Sequence, residues 1–195
     1  MNFELTEDQR AFADTARAFA EGQLAPHAAH WDAEGIFPVD AIAKAGELGL
    51  LCMSIPEQYG GMGASFAHEA VMIEEQARIC DTTFGFIPGA LNGPAFFHGT
   101  ATHEQLLKWM PGIASGKKML CVCITEPDAG TDVKAMRATA RRDGADYVLN
   151  GNKIFITLGQ QADLALVAAR TGPPGSGAKG ISLFMVETAG TPGFK

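Results

Sequence analysis

The densest chemistry in the chain lies in one run, Cys121-Val122-Cys123-Ile124-Thr125-Glu126-Pro127-Asp128-Ala129-Gly130-Thr131-Asp132-Val133. An apolar stretch ends at Thr125, and Pro127, Asp128 and Gly130 are the residues of a turn. Such a turn exposes backbone N–H groups beside two threonine hydroxyls, which together hydrogen-bond the edge of a polar heterocycle and a phosphate. The same residue types also describe an ordinary strand running into a turn, and taken alone they leave both readings open.

Other sites that the sequence spells are weaker. Gly175-Ser176-Gly177-Ala178-Lys179-Gly180 has the spacing of a dinucleotide fingerprint, but that motif requires a helix to follow. Here Ile181-Ser182-Leu183-Phe184-Met185-Val186 reads as a strand, so the segment is expected to be a loop joining two strands. His27 and His30 stand three residues apart with no ligand partner at a familiar spacing and read as surface residues; no metal site is expected. Cys121 and Cys123 alternate along a strand and read as small core residues. No Gly-x-Ser-x-Gly elbow supports a hydrolase.

The elements that must position these residues change character near Gly116. Thr6-x-x-Gln9 is a capping box that opens a helix bearing Phe12, Ala16, Phe19 and Ala20. A second helix follows Phe37-Pro38 and stops at Gly49; the glycine-rich loop Pro56–Gly63 comes next, and a third helix spans Ser65–Ile79. Thr82–His98 has no charged residue and reads as a buried helix interrupted by Pro88 and Pro94. Thr102-x-x-Gln105 opens the last helix, which ends near Gly116.

Beyond it come strand signals at Met119–Thr125, Ala138–Arg142, Tyr147–Leu149, Lys153–Leu158, Leu164–Arg170 and Ile181–Glu187, with Asp143-Gly144 and Asn150-Gly151 as hairpin turns. The fold class expected is α+β: an all-α helical bundle over residues 1–116, then an antiparallel, barrel-like β domain over 117–195.

Composition agrees with a folded protein. The 195 residues are 47% apolar and 19% charged, and no apolar run approaches the 18 or so residues of a membrane span, so no membrane association is expected. Residues 1–116 carry 5 basic and 15 acidic side chains, and residues 117–195 carry 10 and 7. The acidic first half speaks against nucleic acid as a partner, whereas the basic second half suits either an anion such as a pyrophosphate or ordinary surface charge that happens to segregate. Four cysteines without a Cys-x-x-Cys pair, and an amino terminus without signal or transit character, predict a reducing, cytoplasmic setting.

Thr125-Glu126-Pro127-x-Ala129-Gly130-Thr131-Asp132 resembles the signature of the acyl-CoA dehydrogenase family. Further similar segments stand in family order: Leu5-Thr6-Glu7-Asp8-Gln9, Phe37-Pro38, Ile55–Gly63, Leu149-Asn150-Gly151-Asn152-Lys153-Ile154-Phe155-Ile156-Thr157 and Gly190-Thr191-Pro192-Gly193. The resemblance covers essentially the whole chain. It implies an N-terminal helical domain and a middle β domain, which with a C-terminal helical bundle hold FAD.

It also implies a reaction: α,β-dehydrogenation of an acyl-CoA thioester to a trans-2-enoyl-CoA in fatty acid metabolism. FAD is the hydride acceptor, and electron-transfer flavoprotein takes the electrons. On this resemblance Val122, Cys123, Ile124 and Thr125 lie along the flavin ring, and Gly130 and Thr131 approach the pyrophosphate. Thr131 also contacts the acyl-CoA, and Phe155, Ile156 and Thr157 pack on the other part of the isoalloxazine. The uncharged stretch Thr82–His98 is the candidate for part of the acyl pocket wall, although its composition is equally that of a bundle core.

Three positions depart from the pattern. Phe155 stands where many members have Trp, keeping an aromatic wall without the N–H donor. Asp128 replaces a frequent Gly and brings a negative charge near the phosphate site, and Thr131 stands where Ser is common. The resemblance ends inside the middle domain, and the family's usual catalytic glutamate belongs to the C-terminal bundle. No catalytic base is therefore expected in this chain, which alone is expected to be inactive; Glu126 reads as a turn residue. The full-length form is expected to be a homo-oligomer, a dimer or tetramer. Two alternatives stand beside this one: a non-catalytic flavin- or CoA-binding assembly module of a multichain complex, and a flavin-dependent oxidase or monooxygenase of the same superfamily.

Overall fold

The computed structural model describes residues 4–79, 87–173 and 175–195. The chain forms two compact units, Met1–Lys118 and Met119–Lys195. The expected α+β class holds: the first unit is helical and the second is built on a sheet.

In the first unit α1 spans Glu7–Phe19, α2 Ala25–Glu34, α3 Val39–Glu47, α4 Phe66–Ile79, α5 Ile87–Thr100 and α6 His103–Ala114. Both expected capping boxes form: Thr6 and Thr102 accept from the backbone N–H three residues on, and Gln9 and Gln105 return a bond to the cap N–H. Between α1 and α2 the helix widens into a π turn, Ala20–Leu24, just before Pro26, which has no N–H to continue an i to i−4 ladder. Helix α1 packs on α4 and buries Ala13, Ala16 and Phe19. Helix α5 is not buried on every side, since Phe96 is half exposed, although Pro94 within it is buried. Residues 82–86 of the uncharged stretch lie outside the described residues.

In the second unit β1 spans Leu120–Cys123, β2 Thr139–Asp143, β3 Asp146–Asn150, β4 Leu164–Arg170 and β5 Ile181–Glu187. Strand β4 is central and buried through Leu164, Ala165 and Leu166. It pairs antiparallel with β5, from Leu164 opposite Glu187 to Arg170 opposite Ile181. Along its other edge it meets β1 in parallel, Leu120 opposite Leu164, and then β2 through Thr139 opposite Arg170. The sheet is therefore mixed and open, where an antiparallel barrel was expected.

The local hairpin forms where Asp143-Gly144 predicts it. Asp143 and Asp146 pair across the Gly144-Ala145 turn, with Gly144 at a φ of 63°. The parallel contacts need a long crossover, and such a crossover leaves no local turn signal. Asn150-Gly151 makes no hairpin: Gly151 takes a φ of 157°, which residues with a side chain rarely adopt, and a Cβ there would stand 2.5 Å from that of Ala138, so close backbone approach is what the glycine permits. Lys153–Leu158 is not a strand either, because Phe155 and Leu158 take left-handed φ values of 55° and 65°, which no regular ladder accommodates. The glycine-rich segment before β5 is a single 3₁₀ turn, Gly177–Gly180, between β4 and β5, as read from the sequence.

Candidate functional site

The site begins where β1 stops. Glu126 and Ala129 exchange backbone bonds, N–H to O at 2.8 Å and 3.2 Å, closing a tight turn over Pro127 and Asp128. Glu126 is itself buried, 5% exposed, and its side chain folds back under the turn. Oε2 accepts from the Arg137 N–H at 2.6 Å; Oε1 accepts from the Ala138 N–H at 3.0 Å and from Lys153 Nζ at 2.8 Å. Burial alone would raise this carboxyl's pKa, but the Lys153 bond and the two backbone N–H groups outweigh it and hold the pKa below the usual range. The group is thus an ionised anchor, a role the sequence did not disclose beyond placing it in the turn.

Lys153 makes a second bond, donating to the Ile124 carbonyl at 2.9 Å, and next to it the Ile154 N–H donates to the Thr125 carbonyl at 3.0 Å. Three bonds thus tie the segment Val122–Thr125 and its turn to Lys153–Thr157. These two segments carry seven of the residues named from the sequence. Val122, Ile124 and Thr125 are half-buried, whereas Cys123 is buried with its sulfur 3.6 Å from that of Cys121. The buried Cys123 side chain is thus turned away from any ligand on the strand's open edge. Strand β1 pairs on one edge alone among the described residues, with β4.

Phe155 is 90% exposed on a left-handed backbone, a conformation that costs an aromatic residue energy and buries almost none of its ring. Ile156 beside it is half-buried and Thr157 exposed. Gly130 and Thr131 lie exposed on the loop after the turn, and a Cβ on Gly130 would meet nothing within 4 Å. Asp128 faces Arg137 at 3.1 Å, both largely in solvent, so its charge is partnered within the loop.

Arg170, at the end of β4, braces the loop from below. Its guanidinium donates to the carbonyls of Met136 at 2.6 Å, Gly177 at 3.2 Å and Lys134. Sequence reasoning passed over both Lys153 and Arg170; the available signal was a cation embedded in each of two apolar segments.

These residues fit a flavin nucleotide: an open strand edge, an unburied aromatic face and a loop on which Gly130 and the hydroxyl-bearing Thr131 lie exposed, in the basic half of the chain. His27 and His30 are exposed on α2, as their reading as surface residues requires. Ser65, His68 and Asp8 do form a relay, Ser65 Oγ to His68 Nδ1 at 2.9 Å and His68 Nε2 to Asp8 at 2.8 Å. The serine opens α4 and the carboxylate is 85% exposed, so the relay fastens α4 to α1. Among the described residues no helix is long and apolar enough to cross a membrane.

Residues 6–117 match the family described as acyl-CoA dehydrogenase, N-terminal domain, and residues 121–195 match acyl-CoA dehydrogenase, middle domain. A probable acyl-CoA dehydrogenase of Bacillus subtilis, YngJ, is 37% identical over 99% of this chain and 51% of its own length. The crystal structure of an acyl-CoA dehydrogenase from Geobacillus kaustophilus superposes with a TM-score of 0.87 at 37% identity, over 99% of this chain and 51% of that one. PigA, solved with FAD and proline, superposes with a TM-score of 0.90 at 30% identity, over 99% and 51%. The chain thus spans about half the length of the curated relative it matches. With both domain families matched in order and the signature loop folded as an anchored turn, the chain belongs to the acyl-CoA dehydrogenase family.

Proposed function

We propose that the chain supplies the helical and middle domains of a flavin-dependent acyl-CoA dehydrogenase, with the FAD site on Val122–Thr125, Gly130–Thr131 and Phe155–Thr157. The observation that carries this reading is Phe155: an aromatic ring held bare on a strained backbone, one residue from the bond that ties its segment to Thr125. Strain of this kind is kept where a ligand uses it.

Bound FAD supplies a hydride acceptor for the β-hydrogen of an acyl-CoA thioester. The chain's own part is to bind and orient it. The backbone of Val122–Thr125 and the Thr125 hydroxyl meet the pyrimidine edge, and Phe155 and Ile156 exclude water from a ring face. Gly130 lets the backbone come close to the pyrophosphate, which Thr131 also approaches while contacting the acyl-CoA. No residue of this chain is assigned proton abstraction, because Glu126 is already held by three donors.

Electron-transfer flavoprotein as acceptor, a homo-oligomeric assembly and a cytoplasmic or other reducing location belong to the same proposal. Three free, buried thiols support the last of these. PigA, solved with proline, supports a second reading within the superfamily, flavin-dependent oxidation of a substrate other than an acyl-CoA.

Titration of FAD with the protein, followed by quenching of flavin fluorescence, tests the site. Saturable quenching that Phe155→Ala weakens is the expected result, and no quenching by the wild-type chain overturns it. Flavin reduced in the complex should react slowly with oxygen; rapid reoxidation favours the oxidase reading.

A further inference from the structure

The Glu126–Lys153 pair is more elaborate than a turn requires. Lys153 is 11% exposed and Glu126 5%, so both charges are withdrawn from water, a costly arrangement whose members each need every partner they have. The carboxylate has three, and the ammonium has the carboxylate and the Ile124 carbonyl. The partners come from separate stretches of chain: the end of β1, the approach to β2 and the segment after β3. One buried ion pair therefore sets the spacing between Val122–Thr125 and Phe155–Thr157. A neutral hydrogen bond of similar geometry would hold the same spacing, so the charges call for a separate reason.

We propose that Glu126 and Lys153 are positioning residues that fix these two segments against each other and balance the net charge next to a flavin laid along them, an inference that rests on the flavin reading above. The carboxylate anchors the turn, and the ammonium cancels it while gripping a carbonyl within the ring-facing segment. Two-electron reduction leaves the cofactor with one more negative charge. An unbalanced carboxylate in this poorly screened place opposes that charge and an unbalanced ammonium favours it.

The two single substitutions therefore have opposite signs. Lys153→Met leaves the carboxylate alone and lowers the ratio of affinities for reduced over oxidised FAD by about tenfold, which is about −30 mV for a two-electron couple. Glu126→Gln leaves the ammonium alone and raises that ratio by a similar factor. The double variant, with both charges gone, returns the ratio close to the wild-type value, while Lys153→Arg keeps the charge and changes only the reach, lowering affinity without moving the ratio. The potential is read by equilibration with reference dyes on the FAD-loaded chain, and the affinities by fluorescence titration.

Shifts of the same sign in both single variants, or none, overturn the charge-balancing role while leaving the flavin site standing. Absence of FAD binding by the wild-type chain overturns the flavin reading and this role with it. Amide exchange at Ile154, measured without FAD, reports the spacing by itself: Lys153→Met should release its protection, and unchanged protection overturns the positioning role. Where a single variant does not fold, the double variant and Lys153→Arg carry the test, a moved ratio in either counting against the proposal.

Discussion

Arg17 closes its guanidinium fork on Glu75, Nε on Oε2 and a terminal nitrogen on Oε1, each at 2.8 Å. The pair joins α1 to α4 at the place where the two helices pack, and Glu75 is only 6% exposed. The Arg17 hydrogen bond, against the opposing effect of burial, holds the Glu75 carboxyl below the ordinary glutamate range.

The sign for stability follows. Glu75 binds its proton less readily folded than unfolded, so it stabilises the fold at pH values above the unfolded pKa, near 4.3, and loses that contribution as pH falls through the lower folded value. Urea denaturation of wild type and Glu75→Gln should show the variant less stable at neutral pH, with the difference closing in acid. A difference that persists unchanged below the carboxylate range would contradict it.

Gly151 and Gly130 separate packing from binding. Gly151→Ala places a methyl against Ala138 and should cost about 1–3 kcal/mol, as overpacking does. Gly130→Ala meets open space and should leave stability within about 0.5 kcal/mol while weakening FAD. Thermal denaturation and flavin titration together check both; equal losses of stability in the two variants would sink the distinction.

Phe155 offers a trade between stability and binding. Asn tolerates the left-handed backbone far better, and the exposed ring has almost no burial to lose, so Phe155→Asn should stabilise the fold by about 1 kcal/mol. FAD affinity should fall by up to about tenfold as the aromatic face is lost. A variant that is both less stable and unchanged in flavin affinity would place Phe155 outside any site.

Cys52 is 2% exposed, and burial, helped by the charge of Glu69, pushes its thiol up to about 12. At pH 8 the thiol therefore stays protonated and out of reach, so iodoacetamide should spare Cys52 until the protein unfolds. Peptide mapping after native and denaturing labelling decides; prompt native labelling of Cys52 would contradict its placement.

What the sequence disclosed was local, and what it withheld was not. The capping boxes at Thr6 and Thr102, the helix after Pro38 and the Asp143-Gly144 turn are written in neighbouring residues, and all are present. Lys153–Leu158 alternates like a strand, yet its conformation is set by partners far off in sequence: the Thr125 carbonyl for Ile154, and Ile124 with Glu126 for Lys153. The parallel pairing of β1 with β4 is equally distant. The turn motif was legible because proline, aspartate and glycine act through their own backbone, whereas the buried salt bridge beneath it needed coordinates.

Arg170 braces the loop that bears Gly130 and Thr131 by gripping carbonyls on both sides, Lys134 and Met136 on one and Gly177 on the other. Lysine keeps the charge but not the planar fork, so Arg170→Lys cannot hold all three. The substitution should cost about 1–2 kcal/mol and speed amide exchange at Ala135 and Met136, whose N–H groups close the 3₁₀ turn onto Asp132 and Val133. On the flavin reading this loop serves the pyrophosphate and not the ring. FAD affinity should therefore drop several-fold while riboflavin, which has no phosphate, binds as before. If the two ligands weaken in step, Arg170 supports the domain as a whole, and the assignment of Gly130 and Thr131 to the pyrophosphate loses its footing.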